Sequence, residues 1–272
     1  MEHHIVIDGT DIKYWEYHPE QQRTIFFWHG FRGSHRGLIE VAERLTDYRV
    51  IVPDLPGWGE SGTLRVTHTF THYVAFLKKF IAHFALDEFV LAGHSFGASL
   101  ALEYAAAHPK HIQQLILIAP VVNAGSFTSR LGELYYAVGA KIPQPFRRKW
   151  IGNPMINMGK TELISVTLNP IKRQKLVRNE QKNLTYIRDC VEIETYQSFY
   201  DADFWQAMKS LSMSTTLISA TRDRMTSLAT SRQIAATIPG CQTISLKGDG
   251  HFVPIENPIA VADAMHEALT SS

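Results

Sequence analysis

The sequence predicts an α/β protein: a mostly parallel central sheet with helices on both faces, interrupted by a long helical insertion. Short, continuously apolar segments recur at 24–28, 49–53, 89–91, 114–119, 215–220 and 243–246. Amphipathic helical patterns separate them, and that alternation is what a sheet buried on both faces requires. From about Asn123 to Leu211 the alternation stops, and helical patterns broken by Pro and Gly replace it.

In chain order, the first 17 residues read as two strands joined at Asp8-Gly9, a strong hairpin signal. The apolar strand 24–28 leads into a His29-Gly30-Phe31 loop. Beyond it, Leu38, Val41, Ala42 and Leu45 form one stripe at helical spacing, with Ser34 as the expected N-cap. The strand 49–53 precedes Asp54 to Gly62, where breakers are dense enough to dictate a loop. Tyr73, Phe76, Leu77, Phe80, Ile81 and Phe84 repeat at helical spacing and read as a core-facing stripe. A strand, the turn Gly93-His94-Ser95-Phe96-Gly97 and an Ala-rich helix ended by Pro109 follow. After the insertion come the strand 215–220, a helix near 226–237, the strand 243–246, and a last helix opened by Asn257-Pro258. The expected organisation is therefore a core of residues 1–122 and 212–272, with residues 123–211 inserted as a helical cap.

Composition excludes several function classes. Charged residues are 19% and hydrophobic residues 45%, which argues against disorder, and a formal net charge of +1 argues against nucleic acid as the main partner. No stretch is apolar for long enough to span a bilayer, and the opening residues lack a secretory pattern, so the expected location is cytoplasmic. Cys190 and Cys241 lie in different elements without metal-ligand spacing, which predicts two free, buried thiols.

Chemistry concentrates in the loops that follow strands, because ligands of such sheets bind at the strands' carboxyl ends. A serine hydroxyl becomes a nucleophile when a sharp strand-to-helix turn exposes it beside a base, and Ser95 has that setting. His251, between the last strand and the last helix, lies on the same edge and is the candidate base. Asp223, just past the strand 215–220, is the candidate orienting carboxylate; Asp249 is its nearest rival, two residues from His251. An acyl-transfer intermediate needs N–H groups aimed at its oxyanion, for which the amides of Phe31 and Phe96 are positioned. His29 reads as structural.

His29-Gly30-Phe31, Asp54 to Ser61, Gly93 to Gly97, Asp223 and Gly250-His251-Phe252 together resemble the α/β-hydrolase superfamily, in its lid-bearing serine esterase and lipase-like branch. The resemblance covers nearly the whole chain, although 123–211 matches by position alone. It implies a Ser95, Asp223 and His251 triad, a small-molecule ester substrate, and no metal or organic cofactor. Dehalogenases and epoxide hydrolases of this fold carry aspartate where Ser95 stands, which disfavours their reactions. A carbon–carbon bond hydrolase of aromatic ring-cleavage products, or a ligand receptor without turnover, remains open beside the esterase.

The insertion is rich in aromatic residues, among them Phe127, Tyr135, Tyr136, Trp150, Tyr196, Phe199 and Tyr200. That supply predicts a chamber for an apolar or aromatic acyl group, with Trp150, Tyr196, Phe199 and Phe252 as candidate walls. The basic residues Arg147, Arg148 and Lys149, and Lys172, Arg173 and Lys175, read as a solvated face. Oligomeric state is not legible in the sequence.

Overall fold

The structure is a computed structural model that describes residues 1–122, 127–153, 155–156, 159, 170–186 and 188–271. It opens with a hairpin of β1 (Glu2–Ile7) and β2 (Thr10–Tyr17). Asp8 and Gly9 adopt φ of +50° and +75°, as a tight primed turn requires. The chain continues through β3 (Thr24–Trp28), a 3-10 turn at His35–Gly37, α1 (Ile39–Ala42), β4 (Arg49–Pro53), α2 (Phe70–Ala82), β5 (Phe89–His94), α3 (Phe96–Ala107) and β6 (Ile112–Ile118). The eight strands are ordered β1-β2-β4-β3-β5-β6-β7-β8, with β7 at Ser214–Ala220 and β8 at Gln242–Leu246. β1 and β2 pair antiparallel and β3 to β8 pair parallel. The sheet has the mostly parallel character that the sequence predicts.

Period-two alternation splits the strand residues between two cores. Phe26, Trp28, Leu91, Leu115 and Leu217 face the cluster that contains Tyr73, Phe76, Leu77 and Phe80 of α2. Ile25, Phe27, Val50, Val90 and Ile116 face the cluster that contains Leu38, Val41, Ala42 and Leu45, joined by Val261, Met265 and Leu269 of α11 (Pro258–Thr270). α11 starts as Asn257-Pro258 predicts, with the Asn257 side chain accepting from Ala260 N.

Two expectations change. The Ser34 hydroxyl caps no helix N–H; it donates to Asn183 Oδ1 at 3.1 Å, because the chain tightens into a 3-10 turn there. Cys190 and Cys241 are unpaired, yet Cys190 is exposed and Cys241 half-buried. In the helix that carries Cys190 it is the neighbouring Val191 that turns inward.

Between β6 and β7 lie α4 (Phe127–Lys141), α5 (Phe146–Ile151), α6 (Pro170–Thr185), α7 (Asp189–Asp201) and α8 (Phe204–Lys209). Asn123, Pro154 and Asn169 of the expected insertion, and the side chains of Phe127, Lys172 and Tyr200, lie outside the described residues. Polar contacts fasten α7 to the loop before α2. Glu194 Oε2 accepts from His68 N at 2.9 Å and meets His68 Nδ1 at 2.9 Å, and Phe70 N donates to Ser198 Oγ at 2.8 Å. Of the basic residues, Arg148, Lys149 and Arg173 are exposed, Arg147 pairs with Asp189, and Lys175 pairs with Glu40. Among the described residues, no helix is long and apolar enough to cross a membrane.

The strand-to-helix turn between β5 and α3 is a close backbone crossing. A Cβ on Gly97 would stand 2.4 Å from the Trp28 carbonyl oxygen, and one on Gly93 would stand 2.3 Å from the Gly97 carbonyl oxygen. Both obstacles are backbone atoms in buried elements and cannot rotate away. Gly97→Ala is expected to lower stability by about 3 kcal/mol or more in urea denaturation; an unchanged midpoint would contradict this packing.

Candidate active site

Ser95 sits at the crest of that crossing with φ +55° and ψ −119°, a conformation that costs a non-glycine residue on the order of 1–3 kcal/mol. Its amide donates to Ile118 O at 2.9 Å, which ties the strained residue to β6. The Ser95 Oγ lies 2.8 Å from His251 Nε2, and His251 Nδ1 lies 2.9 Å from Asp223 Oδ2. Nδ1–H donates a hydrogen bond to the carboxylate, so Nε2 presents its lone pair to the serine hydroxyl. All three residues are buried, and they come together from the ends of β5, β7 and β8.

Asp223 is fixed on both oxygens. While Oδ2 meets His251, Oδ1 accepts from Met225 N at 2.7 Å and Thr226 N at 2.9 Å. Burial alone would raise its pKa, but the imidazole's charge and hydrogen bond and the two amides outweigh that and hold it below the usual range. Asp249 turns elsewhere, accepting from Asn257 Nδ2 at 3.0 Å.

Two further histidines brace the site. His94 donates Nε2–H to the His251 carbonyl at 2.8 Å. Burial, reinforced by repulsion from His251, pushes its pKa down to about 3, so it stays neutral. His29 accepts from Leu55 N at Nε2, 2.9 Å, and meets its own loop's Gly30 O through Nδ1 at 2.9 Å, and burial lowers its pKa too. Beside it, the wholly buried Asp54 carboxylate gathers three donors: His35 N at 2.6 Å, His35 Nδ1 at 2.9 Å and Glu60 N at 2.8 Å. Sequence reasoning assigned no role to His94 or Asp54. Both stand inside motifs it singled out, and that is the signal that marks them.

Phe96 opens α3, so its N–H has no acceptor one turn earlier in the helix. The Phe31 amide has no backbone acceptor among the described residues. The Phe31 ring packs edge-on against Trp58, Phe96, Tyr136 and Tyr196, with centroids 4.9 to 6.2 Å away. Tyr196 thus lies in an aromatic cluster that reaches, through Phe31, the ring of Phe96, the residue after Ser95. Trp150 is one layer further out, stacked on Tyr135. Phe199 packs against Phe70 and Phe204 towards the core beneath α2. Phe252 packs edge-on against His251 at 5.8 Å. Behind the cluster, Tyr136 donates to Glu192 Oε2 at 3.0 Å, and Arg32 Nε lies 3.5 Å from Glu192 Oε1.

A protein-family model described as alpha/beta hydrolase fold matches residues 23–258. An uncharacterized hydrolase, YugF, of Bacillus subtilis is 22% identical over 276 aligned positions, covering 94% of this chain and 93% of its own length. Two solved esterases share the fold. The esterase of Exiguobacterium antarcticum superposes with a TM-score of 0.84 at 16% identity, covering 99% of this chain and all of that one. A thermophilic esterase of Thermogutta terrifontis, solved with malate bound, superposes with a TM-score of 0.82 at 22% identity, covering all of this chain and 98% of that one.

The buried carboxylates set an acid limit. Burial would raise the Asp54 pKa, but the hydrogen bond and charge of His35 and the Glu60 amide lower it below the ordinary value. A depressed folded-state pKa contributes stability above the unfolded value of about 3.9 and loses it as pH falls through the folded value. Asp54→Asn is therefore expected to cost about 2–4 kcal/mol near neutral pH, with the gap to wild type closing as pH drops below about 4. Urea titrations across pH 2–7 test this; a gap that is constant with pH would contradict it.

Proposed function

The chain belongs to the alpha/beta hydrolase fold family, and on that premise we propose that it is a serine esterase acting through Ser95, His251 and Asp223. The observation that carries the proposal is the relay of hydrogen bonds, 2.8 Å from Ser95 Oγ to His251 Nε2 and 2.9 Å from His251 Nδ1 to Asp223 Oδ2. Ser95 Oγ attacks the ester carbonyl carbon while His251 Nε2 takes its proton. The carbonyl oxygen becomes an oxyanion that the amides of Phe31 and Phe96 stabilise. Collapse expels the alcohol oxygen, which takes the proton from Nε2, and leaves an acyl group on Ser95. Water then attacks the acyl-enzyme by the same route in reverse, releasing the acid.

Asp223 remains ionised throughout, holding the imidazole in the right tautomer and balancing the imidazolium that forms. Its depressed pKa supports that role. In this reading the helices α4 to α8 between β6 and β7 form a lid over the strand ends, and the cluster of Phe31, Trp58, Tyr136 and Tyr196 supports an apolar or aromatic acyl group. Steady-state assays on p-nitrophenyl esters of graded acyl length test the proposal. Ser95→Ala is expected to lower kcat by about 10⁴-fold or more with a thermal midpoint near wild type, and Asp223→Asn to lower it by about 10⁴-fold. A Ser95→Ala protein that keeps most of its turnover would overturn the assignment.

A further inference from the structure

The turn that carries the Phe31 amide holds a long charged residue at its strained position. Gly33 N donates to Gly30 O at 2.9 Å, which closes a four-residue turn with Phe31 and Arg32 at its centre. Arg32 takes φ +58°, the left-handed value that such a turn reserves at its third position for Gly or Asn. A residue with a Cβ and a long side chain loses stability in that conformation, so it persists only where its surroundings hold it.

The holding contact is with α7. Arg32 Nε lies 3.5 Å from Glu192 Oε1, and the two side chains are only 10% and 1% exposed. An ion pair so far from solvent is little screened. Glu192 Oε2 in turn accepts from the Tyr136 hydroxyl of α4 at 3.0 Å. Burial, reinforced by the Glu192 charge, raises the Tyr136 pKa well above the ordinary value, so this hydroxyl keeps its proton and stays a donor. The Phe31 ring grips the same two helices, edge-on to Tyr136 at 5.8 Å and to Tyr196 at 6.0 Å. Those two rings stack on each other at 4.4 Å. Both central residues of the turn are thus anchored on α4 and α7.

The start of the turn is anchored on the core instead. Gly30 O meets His29 Nδ1 at 2.9 Å, and a Cβ on Gly30 would stand 3.2 Å from both His94 Nδ1 and Ser95 Cβ. The Phe31 amide lies between these two anchors. Relaxation of Arg32 to a negative φ would change the turn type and reorient the peptides around Phe31.

We propose that Arg32 and Glu192 are positioning residues for the oxyanion hole: their ion pair keeps the 30–33 turn in its left-handed form and so keeps the Phe31 amide aimed at the oxyanion. The proposal rests on the serine-esterase reading, which supplies that oxyanion. Neither side chain touches the substrate in this account; both act through the backbone of the turn.

The test uses two double variants, Arg32→Ala/Glu192→Gln and Arg32→Gly/Glu192→Gln, assayed on one p-nitrophenyl ester beside wild type and Ser95→Ala. Each removes both charges, so neither strands a buried ion, and the two differ only in the residue at the left-handed position. The alanine variant is expected to lose about 10-fold or more in kcat, less than the 10²–10³ of a donor removed altogether, with KM within about 3-fold of wild type. The glycine variant is expected to recover about 3-fold or more of that kcat, because glycine takes positive φ without strain. A side chain needed for its charge or for a substrate contact would leave the two variants equal. Glu192→Gln alone, which leaves Arg32 in place and still offers Tyr136 an acceptor, is the second probe and is expected to lower kcat with KM little changed. Equal kcat in the two double variants overturns the proposal, and so does a loss confined to KM. If the alanine variant does not fold, a wild-type kcat in Glu192→Gln overturns it equally. Turnover that Ser95→Ala retains would instead remove the esterase reading, and the positioning role would fall with it.

Discussion

Everything at the candidate site depends on one steric constraint: α3 must cross β3 and β5 with no side chain between them. Gly93 and Gly97 meet backbone oxygens at distances no Cβ tolerates. The crossing holds Ser95 at φ +55° and presents its hydroxyl at the strand ends, where His251 reaches it. The strain is held by neighbours on both sides. Ser95 N is bonded to β6, and β5 is paired along its length with β3 and β6. A local cost on the order of 1–3 kcal/mol is easily carried by such a buried sheet.

Around that crossing the protein buries ionisable groups in two contrasting ways. Asp223 and Asp54 remain below the ordinary carboxylate range because each accepts backbone amides and meets an imidazole. His94 and His29 go the opposite way, since burial disfavours their cations and each is used as a neutral hydrogen-bonding strut. The result is a rigid frame in which His251 Nδ1 faces a carboxylate and His251 Nε2 faces a serine hydroxyl. Positioning of this kind would let the serine proton pass to His251 Nε2 with little rearrangement of the surroundings.

The core was largely legible in the sequence because its signals are local. Apolar runs of strand length, the Asp8-Gly9 turn, the stripe from Tyr73 to Phe84 and the glycines around Ser95 each reflect one short-range rule, and β3 and β4 fall where those rules put them. Ser95, Asp223 and His251 were nameable because each follows a strand on the same edge of a parallel sheet. What stayed hidden depends on contacts between residues distant in sequence. His94 meets the loop of His251 across 157 positions, and Ser34 meets Asn183 across 149. Phe199 and Tyr196 are three residues apart on one helix, yet one packs on Phe70 and the other on Phe31. Aromatic content alone does not say which side of α7 faces the site.

The central claim is that Ser95 becomes covalently acylated, and pre-steady-state mixing with a p-nitrophenyl ester tests it most directly. The account predicts a burst of p-nitrophenol approaching one equivalent per chain under conditions where deacylation is slow. It also predicts an intact-mass adduct of one acyl group that maps to Ser95 and is absent in Ser95→Ala. Turnover without any adduct, or an adduct of equal yield in Ser95→Ala, would contradict it.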